Sequence, residues 1–386
     1  MANIKGESRL TFWEATSIII GHGVGSGILT VPYIASRNSF REVLLILLFC
    51  FLFNLVLHLI IAELSYNNNG AQFISCFDAE LFSGRLKTIF TWAAFGLLLL
   101  SVVVNVGGFL MGASEAFNSW FGLPRYAGIL LFYVIGAGVV FAGMKIVGVC
   151  EKIAVFFLIA VVGVLFVATL RHGTRPLTTE FQNGKSILAL FGIISFSLSA
   201  VMSTPQVVKG LEGDVKRIRG AIATGIGVNC GLIFFVTITT LLGVGSDITN
   251  RGALVDLSET LGGWVGVIGY IFTLFALATS FWANTLNLRD IVHEQTKWNL
   301  HVSWLAATLP CLVIALLGFA SFVGFTLYAS AIQVVTGVGI IWAYHLSRKR
   351  VGAAPIIGRF GTLPFQILVV LLSLSATIGA LIGAKL

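Results

Sequence analysis

Charge is what this sequence has least of. Lys, Arg, Asp and Glu make up 10% of its 386 residues, against about 25% in a soluble globular domain. That scarcity excludes a soluble domain, whose water-facing surface needs more polar side chains. Cysteine is sparse as well: Cys50, Cys76, Cys150, Cys230 and Cys311 are scattered. No CxxC and no Cys/His ligand spacing joins them, which excludes a zinc site and leaves free thiols. The opening MANIKGESRLTF lacks a basic region, an apolar core and a small-residue cleavage site. No cleaved signal peptide is expected there, so the first apolar span stays in the protein. Alternating segments of about ten residues are absent, which excludes a transmembrane barrel. No acid–base pair, nucleophile motif or metal cluster falls at mid-depth of any apolar run, so an enzyme is not expected.

What is present is apolar sequence. Hydrophobic residues make up 57% of the chain, and runs of roughly 20, long enough to cross a bilayer, recur along it. Eleven spans are predicted, at 11–36, 41–65, 86–114, 125–145, 151–170, 186–209, 219–244, 263–288, 302–321, 324–347 and 362–384. The fold class is therefore an all-α polytopic membrane protein, one transmembrane domain over residues 1–386. A net charge of +8 might point to nucleic acid in a soluble chain, but here the basic residues lie in loops between spans and no nucleic-acid partner is expected. With the N-terminus in the cytoplasm, sixteen of the 24 Lys and Arg fall on the inner side. That bias predicts an inner (plasma) membrane protein with N-terminus inside and C-terminus outside.

The first span carries GHGVGSGILTVP, from Gly21 to Pro32. Each glycine costs about 1 kcal/mol in a helix interior, so this segment is predicted to unwind. Unwound backbone inside a bilayer survives only where it lines a cavity or is buried in protein. The amides of Gly25, Ser26 and Gly27 would then start an outer half-helix and make an anion site suited to a carboxylate. The carbonyls ending the inner half suit a cation or an ammonium group. Small-residue packing between helices is the competing explanation. The sixth span has a comparable interruption, with Ser195, Ser197, Ser199, Ser203, Thr204 and Pro205 at its centre. Two interruptions five spans apart divide the chain into halves at 11–170 and 186–347, with an extra helix at 362–384. Five is odd, so the second half must enter from the opposite side. Such an inverted repeat with broken helices in matching places points to a secondary transporter.

At these residues the chain resembles a known family. GxGxGSGILxxPY, AELSYNNNGAQF after span 2, EGDVKRIRGAIATG after span 6 and FALATSFWANTLNLRD in span 8 occur in order. They resemble the amino acid–polyamine–organocation transporter superfamily, and are similar to bacterial aromatic amino acid permeases and to the amino acid/auxin permease branch. The resemblance implies the leucine-transporter fold, a 5+5 inverted repeat plus an eleventh helix. It also implies roles. The substrate carboxylate would meet the amides of Gly25, Ser26 and Gly27. Its amino group would meet carbonyls of His22, Gly23, Ser195 and Phe196. Phe196, Ser199 and Met202 would border its side chain. Asn105, the one strongly polar residue at mid-depth of span 3, either faces the cavity or bonds a neighbouring helix. Gly107 and Gly108 are read as leaving room for a large side chain, and Ser330 and Gln333 are weaker candidates.

The resemblance further implies a sodium ion as the coupling ion, held by carbonyls of Gly21, Val24 and Ala276 and the hydroxyls of Thr279 and Ser280. Ordinary Ser/Thr packing is the alternative. Ile28 and Leu29 stand where a second sodium site would need a side-chain oxygen, so one sodium is expected. Some superfamily members place a lysine in span 5 over the sodium position; here the middle of that span is apolar around Leu158, which disfavours protons. A proton remains the alternative coupling ion through His22, which lies in the break itself. His58 and Glu63 in span 2 are also titratable; Glu63 is expected to be solvated or to cap, and His58 to pair with it or to satisfy a neighbour. Loop 246–262 is either an outer lid or a plain loop. No acidic residue is expected at the cavity, which argues for a neutral amino acid, aromatic by resemblance. The expected protein is thus an ion-coupled symporter with no organic cofactor, acting as a monomer in the bilayer. A non-transporting sensor that keeps the fold is the competing class.

Overall fold

Each expected span coincides with helix. The computed structural model describes residues 9–383 apart from Ser26, 179–183, 250–252 and 319–321, and describes no side chain within 322–336. In chain order the helices are α1 (Phe12–Gly23), α2 (Gly27–Ala35), α3 (Phe40–Asn67), α4 (Phe73–Glu80), α5 (Lys87–Phe121), α6 (Arg125–Phe141), α7 (Met144–His172) and α8 (Gly184–Ser197). They continue as α9 (Thr204–Gly210), α10 (Val215–Val244), α11 (Ala253–Leu261), α12 (Gly263–Thr296), α13 (Leu300–Leu317), α14 (Phe322–Val351) and α15 (Leu363–Gly383). Eight stretches, α8 with α9 counting as one, are each long and apolar enough to cross a membrane, and α1 with α2 forms a ninth, bent span. The shorter α6 and the 30-residue α14 occupy the two remaining expected positions. The chain is an integral, multi-pass membrane protein.

Local chemistry sets the helix starts. The Thr11 amide donates to the Glu14 carboxylate at 2.8 Å and the Glu14 amide to the Thr11 hydroxyl at 3.3 Å. Ser39 and Glu42 repeat this reciprocal cap ahead of α3. The helices differ from expectation at several points. The fifth span begins at Met144 and not at 151, which puts Lys145 and Glu151 inside α7. Two short helices, α4 and α11, lie in segments expected to be loops. Loop 246–262 thus contains α11, tied down by Asp256, which accepts the Thr249 amide at 2.7 Å.

Burial orders the bundle. α5 is buried on every side from Ser101 through Ser114 and stands at its centre. α7 and α15 keep one face inward and expose apolar residues on the other, among them Phe156, Phe157, Ile367 and Leu371. Such a continuous apolar exterior requires lipid. α15 packs along α8 with the two backbones in contact. A Cβ on Gly192 would strike the backbone of Gly379 and Ala380, and one on Gly379 would strike the Leu188 carbonyl. Small residues permit this approach, and inside a bilayer close packing is what holds helices together.

Candidate functional site

The first break lies where the glycines are. α1 stops at Gly23, α2 starts at Gly27, and their axes are bent by 55°. The Val24 amide makes the last helical bond, to the Ile20 carbonyl at 2.8 Å. The Gly25 amide then turns back to the Gly23 carbonyl, also at 2.8 Å, and not to that of Gly21. Among the described residues no amide takes the Gly21 carbonyl, which lies at the end of the ladder. This corrects one expectation: the Gly25 amide is already used, and the Gly23 carbonyl keeps only its second lone pair. The Gly27 amide opens the first turn of α2, where amides have no intrahelical partner. Ser26 lies outside the described residues.

The second break lies between Ser197 and Thr204. Leu198 to Ala200 leave the helix, and a single 3₁₀ turn over Val201–Ser203 leads into α9. Pro205 sits in the first turn of α9, where its missing N–H costs no hydrogen bond. The Ser197 hydroxyl donates to the Ile193 carbonyl at 2.8 Å and the Thr204 hydroxyl to Ala200 at 3.4 Å. The Ala200 amide, released by the break, donates to His58 Nε2 at 2.9 Å, and His58 Nδ1 donates to the Asn54 carbonyl at 2.6 Å. His58 therefore satisfies a broken helix and does not pair with Glu63. Glu63 is fully buried and accepts the Ile356 and Ile357 amides, the latter at 2.9 Å; it caps a loop and is not solvated. His58→Ala strands the Ala200 amide, a loss of about 1–3 kcal/mol. The thermal midpoint of the purified protein should fall, and His58→Gln, which keeps an acceptor, should recover part of the loss.

Between the breaks lies a cavity of about 230 Å³. His22, Gly23, Gly25 and Gly27 line it from the first break; Ser195, Phe196, Ser199 and Met202 line it from the second. Asn105 lines it from α5 and makes no hydrogen bond among the described residues, so the helix-to-helix alternative has no partner there. His22 Nδ1 lies 2.7 Å from the Ser203 hydroxyl and bridges the breaks. The two breaks also touch: a Cβ on Gly27 would lie 3.2 Å from Ser197 Cβ and 3.3 Å from Phe196 Cδ1. Phe53, Leu57, Ile61, Phe109 and Ile340 supply apolar walls, and no Asp, Glu, Lys or Arg is among the described lining residues. Pockets for drug-sized ligands run to roughly 300–1,000 Å³, so this one suits a single amino acid.

Several lining residues were not anticipated. Asn54 and Asn284 lie one helical turn from His58 and Ser280, a phase visible in the sequence once those were suspected. Ser373, Ala376 and Thr377 come from α15. The span 3 glycines do not act as expected. Gly107 packs against Ile314 of α13, and neither it nor Gly108 is among the lining residues. The side chains of Ser330 and Gln333 lie outside those described.

The expected cation ligands gather behind the first break. α12 lies against it, with Thr279 Cβ 3.0 Å from the point where Gly21 would carry a Cβ, and Ser280 Oγ 3.1 Å from that of Gly25. Thr279 Oγ1 donates to the Ala276 carbonyl at 3.0 Å. Val24 caps α1 in a non-helical conformation, so its carbonyl leaves the ladder. Ser280 Oγ is buried with no hydrogen-bond partner among the described residues.

Comparison with known proteins adds to this geometry. A family model described as the tryptophan/tyrosine permease family matches residues 8–372. Compared sequence with sequence, no curated protein matches the chain. Two solved structures match over nearly its whole length. MHP1, a nucleobase-cation-symport-1 family transporter in a closed conformation with bromovinylhydantoin bound, is 14% identical, covers 98% of this chain and 92% of its own, and has a TM-score of 0.67. MhsT in complex with L-phenylalanine is 15% identical, covers 97% and 100%, and also has a TM-score of 0.67. At such identities the likeness establishes the fold alone, which is the leucine-transporter fold.

Proposed function

The chain belongs to the tryptophan/tyrosine permease family, and from that premise we propose that it imports an aromatic amino acid together with one sodium ion by alternating access. It is a transporter and not an enzyme. The observation that carries the proposal is the uncharged cavity shared by two helix breaks. The Gly27 amide, with that of Ser26, would take the substrate carboxylate. Carbonyls of the breaks, with Asn105, would take its ammonium group. Phe196, Met202 and Phe109 would border the ring, and Phe–aromatic contacts favour such a side chain. The L-phenylalanine in MhsT supports a substrate of this class.

Sodium would sit against Gly21, Val24, Ala276, Thr279 and Ser280. The unsatisfied Ser280 hydroxyl and the open Gly21 carbonyl fit a hard cation that binds oxygen. Bound there, it would tie α12 to the broken span and so link its own occupancy to closure. The repeats at 11–170 and 186–347 would rock against each other, with α11, which packs on α2, as an outer lid. The protein would act as a monomer in the plasma membrane, N-terminus inside.

Uptake of labelled tryptophan, tyrosine and phenylalanine into proteoliposomes tests this reading. Accumulation should collapse when choline replaces sodium. Thr279→Ala combined with Ser280→Ala should abolish the sodium dependence. Uptake that ignores sodium and rises with an inward proton gradient would instead favour His22, which lines the same cavity, as the coupling group. No gradient-driven accumulation of any amino acid would reject transport of this class.

A further inference from the structure

One wall of the cavity runs along α3, α8 and α15, with α8 packed against both of the others. Its polar side chains share one property: each has already given its hydrogens to the protein. Asn54 Nδ2 donates to the Cys50 carbonyl at 3.0 Å and to the Ser195 carbonyl at 3.4 Å. Two such bonds use both amide hydrogens and fix which end of the amide is oxygen. Ser373 donates to the Val369 carbonyl at 2.8 Å and Thr377 to that of Ser373 at 3.0 Å. The Cys50 thiol donates to the Phe191 carbonyl at 3.6 Å, which leaves the Ser195 hydroxyl as donor to Cys50 Sγ at 3.3 Å. Among the described side chains, this wall therefore offers the cavity acceptors and no donor. Asn54 is the sharpest case. It is 1% exposed, and its Oδ1 takes no hydrogen bond among the described residues. Unlike the side-chain oxygens of Asn229 and Asn287, that atom is not sealed in the interior but open to the cavity its residue lines. A buried acceptor left without a partner is costly, so this one calls for a ligand that brings a hydrogen.

We propose that Asn54 reads the ring of the substrate: its Oδ1 accepts the hydrogen of an indole N–H or a phenol O–H, and so selects a donor-bearing aromatic side chain over a purely hydrocarbon one. The proposal rests on the aromatic amino acid reading and names the group by which the ring is recognised; it does not depend on the coupling ion. The surroundings of Asn54 suit a ring. Phe53 and Leu57 of α3 and Ile340 of α14 line the same cavity, and a ring with one polar edge needs such apolar walls around one fixed acceptor. The other cavity asparagines are not restricted in this way. Asn284 spends one N–H on the Ser280 carbonyl at 2.8 Å and keeps the second, and Asn105 makes no hydrogen bond among the described residues. Both can still donate, which fits the carboxylate end of an amino acid as well as its ammonium. Ser373 and Thr377 can only accept while they hold their own helix, so neither satisfies Asn54 in the absence of a ligand. Selection by such a site is strong because the analogue without the hydrogen leaves the acceptor stranded.

Two pairs of competitors, each differing at one ring group, test the role of Asn54 against uptake of a labelled aromatic amino acid by the full chain in proteoliposomes. Tryptophan is paired with β-(3-benzothienyl)alanine, whose ring sulfur replaces the indole N–H, and tyrosine with phenylalanine. For the wild type, the donor-bearing member of at least one pair should compete at a concentration lower by about tenfold or more. In Asn54→Leu that ratio should fall to within about twofold. The ratio is the deciding readout. Asn54 also holds the Ser195 carbonyl, and loss of that support would weaken both members of a pair alike; so would loss of a contact to the substrate ammonium. Asn54→Gln keeps the acceptor but displaces it by one methylene, and its ratio should lie between the other two; where Asn54→Leu does not reach the membrane, this variant decides. Equal competition within both pairs by the wild type, or a wild-type ratio in the deciding variant, overturns the role of Asn54 and leaves aromatic amino acid transport standing. A wild type that takes up no aromatic amino acid removes that reading itself, and this proposal with it.

Discussion

Gly27→Val should reduce the initial rate of amino acid uptake about a hundredfold while the protein still reaches the membrane. The two helix breaks are in van der Waals contact at this residue, where a Cβ would lie 3.2 Å from Ser197 Cβ and nearer still to its hydroxyl. The hydroxyl can rotate only by giving up its bond to the Ile193 carbonyl at 2.8 Å. The γ-methyls of valine would then have to enter the cavity that Gly27 lines. Overpacking of this kind costs about 1–3 kcal/mol, and about 1.4 kcal/mol is a factor of ten. Gly27→Ala carries the clash without the methyls and should lose about tenfold on the same scale. Initial rates normalised to the amount of protein at the membrane check both values. Wild-type uptake in Gly27→Val would mean that the breaks are not where substrate binds.

The second large effect is on stability. Gly379→Val should lower the thermal midpoint by roughly 2–12 °C, taking about 1–3 kcal/mol of overpacking at about 2–4 °C per kcal/mol for a chain of ordinary domain size. A Cβ there would lie 2.9 Å from Leu188 C and 3.2 Å from Gly192 Cα, against backbone that cannot turn aside. α15 would have to move off α8, and it carries Ser373 and Thr377 of the cavity wall with it. Uptake should fall together with the midpoint. Gly383→Ala, four residues on, is the control. Its Cβ would meet that of Ala189 at 3.6 Å, an ordinary contact, so its midpoint should stay near that of the wild type. Equal behaviour of the two variants would show that α15 is a passive outer helix.

The residues on which these effects depend were legible to different degrees. The breaks could be placed from sequence because their causes are local. Clustered glycine, or proline after a run of hydroxyls, weakens a helix wherever it stands. Nine of the ten residues expected around the substrate line one cavity, and the tenth, Ser26, is not described. Gly107 misled because helix phase sends it toward Ile314, whereas its neighbour but one, Phe109, faces the cavity. Glu151 does not stand out in the sequence, because the apolar run expected as the fifth span begins only there. The helix begins seven residues earlier, at Met144, and so carries the carboxyl two turns into the bundle. The free Gly25 amide was lost to a tight turn onto Gly23 that no residue type announces.

By itself the sequence determined that the chain crosses a membrane many times and where its helices come apart. Both follow from near neighbours: apolar length meets lipid, and glycine or proline weakens the bonds within its own helix. Only the tertiary structure decided which groups meet across helices. It set Glu151 against Gly21, capped Ala200 with His58 and brought α15 to the cavity wall. The physical reason is rotation: one residue turns a helix face by about 100°, and an all-apolar span can present any face until its neighbours bury one.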